Sequence, residues 1–193
     1  MPLAFQEFAD GWRRLHPDWD YRLWGDGDLP PLRNQDLYDR AHEIAPGFEG
    51  QLCSDIVRYE LLYQFGGVWV DTDFECLKPI DDLMRGVVCF AAWEIQDRVA
   101  NNAIMGADPG HPFIGRLIRG LPASVARNRG KRPAHMSGPW YLTPLLGPDV
   151  TMFDSALFYP YDCDELQRGH ETFSDAYGVH HWANQRRLRR KPL

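Results

Sequence analysis

The run from Leu52 to Pro79, LCSDIVRYELLYQFGGVWVDTDFECLKP, constrains the fold more than any other part of the chain. It reads as a buried helix, a glycine stop, a strand, and two aspartates one residue apart. Ser54 is an expected N-cap, with Asp55 placed to favour the positive N-terminal end of the helix. Ile56, Val57, Tyr59, Leu61, Leu62 and Tyr63 leave almost no polar face, so this helix is expected to be packed on more than one side. Asp55 and Arg58, three residues apart, then lie side by side on a face built for burial. Gly66-Gly67 ends the helix, and Val68-Trp69-Val70 opens a strand. In extended chain Asp71 and Asp73 point the same way, at the strand's C-terminal end, where open α/β sheets bind ligands.

Two ionised carboxylates aimed at one spot repel unless a proton or a cation lies between them. Hard divalent cations that keep water and substrate phosphates are held by one or two such groups. A bare D-x-D is more often a solvated strand end. Here it accompanies an apolar helix, an Asp/Arg pair and a Gly-Gly turn, and that combination favours a metal-assisted site. The second D-x-D, Asp26-Gly27-Asp28 before Pro30-Pro31, is turn chemistry.

The run SDIVRYELLYQFGGVWVDTD resembles the core motif of a glycosyltransferase family. That family includes bacterial capsular-polysaccharide sugar transferases, yeast initiating mannosyltransferases and the large clostridial glucosylating toxins. The resemblance implies an α/β nucleotide-diphospho-sugar transferase fold, with a mainly parallel twisted sheet and helices on both faces. It also implies transfer of a hexose, with retention of configuration, from a nucleotide-diphosphate sugar to a hydroxyl acceptor (a glycan, a lipid-linked sugar or a protein). By the match Asp73 and Asp71 hold Mn²⁺ or Mg²⁺ against the diphosphate, with contact to the ribose the other role open to Asp71. Asp55, Arg58 and Tyr59 address the donor, and a buried structural ion pair is the plainer role for the first two. Asn101-Asn102-Ala103 followed by His111-Pro112 resembles a further family block, in which Asn102 faces the sugar or the diphosphate. Ser137-Gly138-Pro139 resembles a Thr-Gly-Pro element.

Val179-His180-His181-Trp182 is the second chemical candidate. In extended chain His180 and Trp182 share a face and His181 points away. Imidazole is a competent ligand for Mn²⁺ and an indole can cover a sugar. The family's His-x-Trp makes His180 a metal ligand and Trp182 a donor contact, against the plainer reading of a structural histidine. Relatives also begin with an Ile-Pro-Lys-Ile-Ile-type strand that lies inside the sheet. None precedes the first helix here, so either the true start lies upstream or the single domain, residues 1–193, lacks that interior strand.

The rest of the chain is read from local pattern. Phe5, Phe8, Trp12 and Leu15 mark a helix, Trp19 to Trp24 a strand, and Leu37 to Ala45 a short helix. Beyond the D-x-D a short helix is expected around Asp82 to Met84, buried strands over Val87 to Trp93 and Asn101 to Ala107, and an amphipathic helix over Phe113 to Leu121. Residues 124–135 read as a polar, basic loop on the acceptor side, and Ala156 to Pro160 as a late strand. The chain has 193 residues, 44% of them hydrophobic, enough for a sizeable core, and its net charge of −6 argues against a nucleic-acid partner. The four cysteines lack C-x-x-C spacing, which favours reduced thiols. No apolar run reaches bilayer length, so the expected location is the cytoplasm or the inner face of the membrane, with the basic Arg186 to Lys191 segment a possible membrane contact. The sequence supports an enzyme of polysaccharide biosynthesis. A sugar-nucleotide-binding remnant without activity, a metal-dependent phosphohydrolase and a glycosidase are the alternatives.

Overall fold

The computed structural model describes residues 2–184. The chain opens with α1 (Leu3–Leu15), α2 (Gln35–Asp39), α3 (Ala41–Ile44) and the long α4 (Glu49–Phe65). β1 (Gly67–Val70) and β2 (Phe74–Cys76) follow, then α5 (Asp81–Met84) and the β3 (Cys89–Ile95) to β4 (Val99–Ala107) hairpin. α6 (Pro112–Arg127), α7 (Pro133–Met136), α8 (Pro139–Leu142), β5 (Thr151–Phe153), α9 (Ser155–Phe158) and β6 (Gly178–His180) complete it.

The main sheet has the order β1-β4-β3-β5, and β2 and β6 form a separate antiparallel ribbon. The expected α/β architecture is present, with mixed pairing in the sheet. β1–β4 and β3–β4 are antiparallel, and β3–β5 is parallel. The short connection through Asp97, which takes φ +56°, forces β3 and β4 to run antiparallel. Every residue of β4 is buried, because the sheet is covered on both faces. Alternation along the strands divides them. Ala91 and Met105 join α4 and α6 in one core, while Phe90, Ala92 and Ile104 join Trp12, Phe74 and Phe158 in the other.

Several elements differ from the sequence expectation, each for a local reason. Ser54 lies inside α4 and does not cap it, since the chain already turns into the helix at Glu49, whose carboxylate suits the first turn. Leu37 to Ala45 is split into two short helices at Arg40. Trp19 to Trp24 is extended but joins no ladder. It is held through side chains instead, with Arg13 over Tyr21, Arg22 over Trp24, and the Trp19 indole donating to Asp81 at 2.9 Å. Ala156 to Pro160 begins as helix α9, because the Asp154 carboxylate accepts from the Ala156 N–H at 2.8 Å and starts a turn. The stretch 124–135 is partly helical, since α6 continues to Arg127 and α7 begins at Pro133.

Two features explain how the core tolerates awkward residues. Gly66 ends α4 at φ +70°, and a Cβ there would lie 2.6 Å from the Pro109 ring and 2.9 Å from the Ala107 carbonyl oxygen, so the turn into β1 requires glycine. Pro122 lies inside α6 and cannot donate to the Ile118 carbonyl one turn earlier. That carbonyl accepts from the Asn34 side-chain amide at 3.0 Å instead, and the same amide also reaches the buried Glu60 carboxylate at 3.2 Å. Asn34 therefore joins α4 to α6. Among the described residues the other edge of β1 has no ladder partner, and Trp19 to Trp24 lines the same cavity as Val68 to Val70 without pairing to it.

Asn34→Ala should leave the Ile118 carbonyl without its donor, at a cost of about 1–3 kcal/mol. In a chain of this size that is roughly 2–4 °C of Tm per kcal/mol. Thermal unfolding at an unchanged Tm would show that Asn34 does not join the two helices energetically.

Candidate active site

The site is built where α4, the end of β1, and the β2–β6 ribbon meet. Asp71 follows β1 directly, and its N–H donates to Ala103 of β4 at 2.8 Å. The chain then turns, with the Phe74 N–H donating to the Asp71 carbonyl at 3.0 Å, so the strand does not stay extended through Asp73 as expected. The carboxylates converge nonetheless. Asp71, Asp73 and His180 each offer a ligand atom, and these atoms lie within 4.8 Å of one another.

His180 arrives from more than a hundred residues away through the β2–β6 ladder, which sets it opposite Phe74. Gly178, opposite Cys76, permits this approach, because a Cβ there would meet the Phe74 ring at 2.7 Å and the Glu75 carbonyl at 2.9 Å. Trp12 of α1 braces the same strand, its indole donating to the Phe74 carbonyl at 2.9 Å. His180 Nε2 lies 3.2 Å from Asp73 Oδ1, and Asp73 Oδ2 accepts from the Ala183 N–H at 2.8 Å. Burial alone would push the Asp73 carboxyl up, but the His180 charge and these hydrogen bonds outweigh it and hold it at about 2. Burial works against charge on His180 as well, and Asp73 with Asp71 overcomes it, so its pKa is raised. Among the described residues the buried His180 Nδ1 has no hydrogen-bond partner. Two carboxylate oxygens and one imidazole nitrogen this close suit a divalent cation such as Mn²⁺, which His180 would bind in its neutral form, giving up its proton.

Beneath Asp71 lies a buried charge network. The Arg58 guanidinium is 3.1 Å from Asp71 Oδ1 and 3.2 Å from Asp55 Oδ1, and it donates to the Ser54 hydroxyl at 3.0 Å and to the Asn102 carbonyl. The Trp69 indole adds a 2.8 Å bond to Asp71. Asp55 accepts from the Ser137 hydroxyl at 2.7 Å and from the Asn102 amide at 2.8 Å. Tyr59 receives the same Asn102 amide and donates to the Ser137 carbonyl at 2.6 Å. Burial raises the Asp55 carboxyl despite Arg58 and its hydrogen bonds. Arg58 is pulled the other way. Burial would lower it, but Asp71 and Asp55 raise it, so it stays charged.

The residues expected from sequence fall into two groups. Asp71 and Asp73 line a cavity of about 510 Å³, together with Ser54 and Val57 of α4, Trp69 of β1, and Tyr21 and Trp24. That volume is in the range of small-molecule sites. Asp55, Arg58, Tyr59 and Asn102 lie behind it, all buried and bonded to one another. Trp182, expected against the donor, is buried behind His180 at 4.2 Å between ring centroids and donates to the Tyr161 carbonyl. His181 faces away, its Nε2 2.8 Å from Glu75 and its ring on Phe8. Sequence reasoning missed Ser137 and Trp69 as members of the network. The Ser-Gly-Pro resemblance carried a signal for the first, and nothing in the pattern around Trp69 marked its indole as a donor to Asp71. The cluster of Asp71, Asp73 and His180 is the only one of its kind among the described residues, fewer ligands than a two-metal hydrolase uses.

The fold is shared with a solved glycosyltransferase, PaToxG, at TM-score 0.58 and 14% identity, over 76% of this chain and 63% of that one. Residues 2–89 match the family described as glycosyltransferase sugar-binding region containing DXD motif. Inositol phosphoceramide mannosyltransferase 3 of Schizosaccharomyces pombe is 32% identical over 118 residues, covering 56% of this chain and 30% of the relative. Mannosyl phosphorylinositol ceramide synthase CSH1 of Saccharomyces cerevisiae is 27% identical over 150 residues, 76% of this chain and 36% of the relative. The initiation-specific alpha-1,6-mannosyltransferase of Saccharomyces cerevisiae is 33% identical over 88 residues, 42% and 18%. The chain thus spans less than half the length of these relatives.

Arg58→Lys keeps a charge but loses the planar fork that reaches Asp55, Asp71, Ser54 and the Asn102 carbonyl at once. It should bind a nucleoside diphosphate as the wild type does, yet lose most donor turnover. Equal loss of nucleotide affinity and turnover, or unfolding, would make Arg58 purely a structural ion-pair partner.

Proposed function

We propose that the chain is a retaining, metal-dependent glycosyltransferase that moves a hexose from a nucleotide-diphosphate sugar to a hydroxyl acceptor. The convergence of Asp71, Asp73 and His180 at the wall of a small-molecule cavity carries this reading. The three would hold Mn²⁺ or Mg²⁺, which when bound supplies Lewis-acid neutralisation of the departing diphosphate. Asp71 has the more open of the two carboxylates, its side chain 24% exposed against 13% for Asp73. It is therefore the better placed to reach ribose or diphosphate, while Asp73 anchors His180.

Arg58 and Asp55 make a fixed polar floor under Asp71, and their role is to set the hexose with its anomeric carbon toward the acceptor. The aromatic side chains of Tyr21 and Trp24 give the cavity an apolar wall on which a base can stack. Relatives named as mannosyltransferases and as acting on inositol phosphoceramide favour mannose as the hexose and an inositol-phosphate lipid headgroup as the acceptor. No helix among the described residues is long and apolar enough to cross a membrane, and peripheral attachment is the location proposed here. The unpaired edge of β1 along the cavity favours a second reading, in which the chain binds a sugar nucleotide without transferring its sugar.

Asp73→Asn removes one charged oxygen ligand and should lower transfer on the order of 10²-fold or more. Circular dichroism should show an intact fold, and excess chelator should stop the wild type. Near-wild-type turnover of Asp73→Asn, or full activity in chelator, would overturn the metal role. Tight Mn²⁺-dependent binding of a nucleoside diphosphate with no transfer or donor hydrolysis would favour the second reading.

A further inference from the structure

The chain is acidic overall, with 27 Asp and Glu against 21 Lys and Arg, but its charge is segregated. Residues 109–148 contain six Lys and Arg and no Asp or Glu at all. Arg116 is paired with Asp149 at 2.9 Å. Arg127, Arg129, Lys131 and Arg132 are exposed, and none of the four is in an ion pair among the described residues. The acid on the neighbouring helix, Glu43, is held by Arg40 at 3.0 Å, and Arg129 acts on it only as a weaker, more distant charge. Trp140 stands in the same stretch, 54% exposed, its ring close to that of exposed His135. Four cations outside ion pairs among the described residues, all within six positions and beside an exposed indole, form a basic surface on an acidic chain.

That surface adjoins the site. Arg132 lies over Phe48, the residue preceding α4, and Gly50 of α4 lines the cavity. One helical turn beyond Arg132, Ser137 donates to Asp55, and a Cβ on Gly138 would be 3.3 Å from the same carboxylate. The basic turn is therefore linked to the candidate donor site through Phe48 at the start of α4 and through Ser137 on Asp55. A planar, negatively charged surface bearing hydroxyl acceptors fits both its charge and its position.

We propose that the face formed by the α6–α7 turn and Trp140 docks this protein on an anionic phospholipid bilayer. Arg127, Arg129, Lys131 and Arg132 meet the headgroup phosphates, and Trp140 seats at the headgroup level. This names the surface on which the proposed transferase meets its acceptor, and so rests on that reading for its purpose but not for its test.

The full chain should sediment with phosphatidylcholine vesicles containing 30% phosphatidylserine or phosphatidylinositol, and not with phosphatidylcholine alone. The association should weaken strongly between about 0.1 M and 0.5 M NaCl. Arg129→Gln with Lys131→Gln should reduce it about 25-fold, at roughly fivefold for each charge removed. Trp140→Ala should reduce it further without changing the salt dependence. The basic segment at 186–191 stays unchanged in every variant, so it cannot account for a difference. Equal sedimentation with neutral and anionic vesicles overturns the proposal, as does binding that the double variant leaves intact. Single-stranded RNA bound as tightly as the vesicles, with no effect of Trp140→Ala, would mark a generic polyanion surface and overturn it too. Hydrolysis of the soluble donor should match wild type in the double variant. Absence of hydrolysis in the wild type would sink the transferase reading and leave the vesicle result to stand alone.

Discussion

A single guanidinium between two carboxylates ties the structure together. Arg58 touches Asp55 on its own helix, Asp71 after β1 and the Asn102 carbonyl on β4, so helix, edge strand and central strand share one charge network. Through Asp55 and Ser137 the network extends to α7. Taking three charges out of water is unfavourable unless every lone pair and proton finds a partner. Here Ser54, Trp69, Ser137 and Asn102 supply those partners, all but one of them from outside α4. The network carries a net negative charge, and it lies directly behind Asp71. Asp71 is thereby fixed in orientation with one oxygen side still open to the cavity.

The second constraint is topological. Asp73 and His180 are brought together only because β2 and β6 form a ribbon separate from the main sheet. With it the Asp73 carboxyl is held at about 2 and is ionised throughout the physiological range. The placing of His180 against Asp73 therefore depends on β6, on α1 bracing β2 through Trp12, and on a glycine at 178.

These dependencies explain what could be read from the sequence. The helix–Gly-Gly–strand–D-x-D order was legible because each step has a local cause, and Asp55 and Arg58 stood out as charges on a face otherwise made for burial. The ladder between β2 and β6 was not legible, since three-residue strands far apart in sequence leave no periodic signal. Nor was the aromatic segment Trp19 to Trp24 readable as ladder-free. Its alternation is that of a strand, and only the absence of a hydrogen-bonding neighbour decides otherwise. Helix α9 misled for the opposite reason. Its apolar run looks extended, and a single Asp154 cap tips the balance.

The contrast between the two ends of α4 bears on how such a site can work. Its C-terminal end turns at Gly66, where any Cβ would meet Pro109 and the Ala107 carbonyl. Its N-terminal end faces the cavity and the basic turn of α6 and α7, where Arg132 covers Phe48. A helix closely packed at one end and open at the other can hold Arg58 still while an incoming molecule approaches from the open side. Negative charge is concentrated inside that opening, and positive charge on the surface beside it. In the proposed transferase a dianionic donor entering alone would meet the carboxylates of Asp71 and Asp73, and a cation between them would offset that repulsion. The cations of the basic turn attract anions without such a partner. The proposed donor site and the proposed docking face therefore differ in sign: the first gathers Asp71 and Asp73 at a cavity wall, the second exposes four cations.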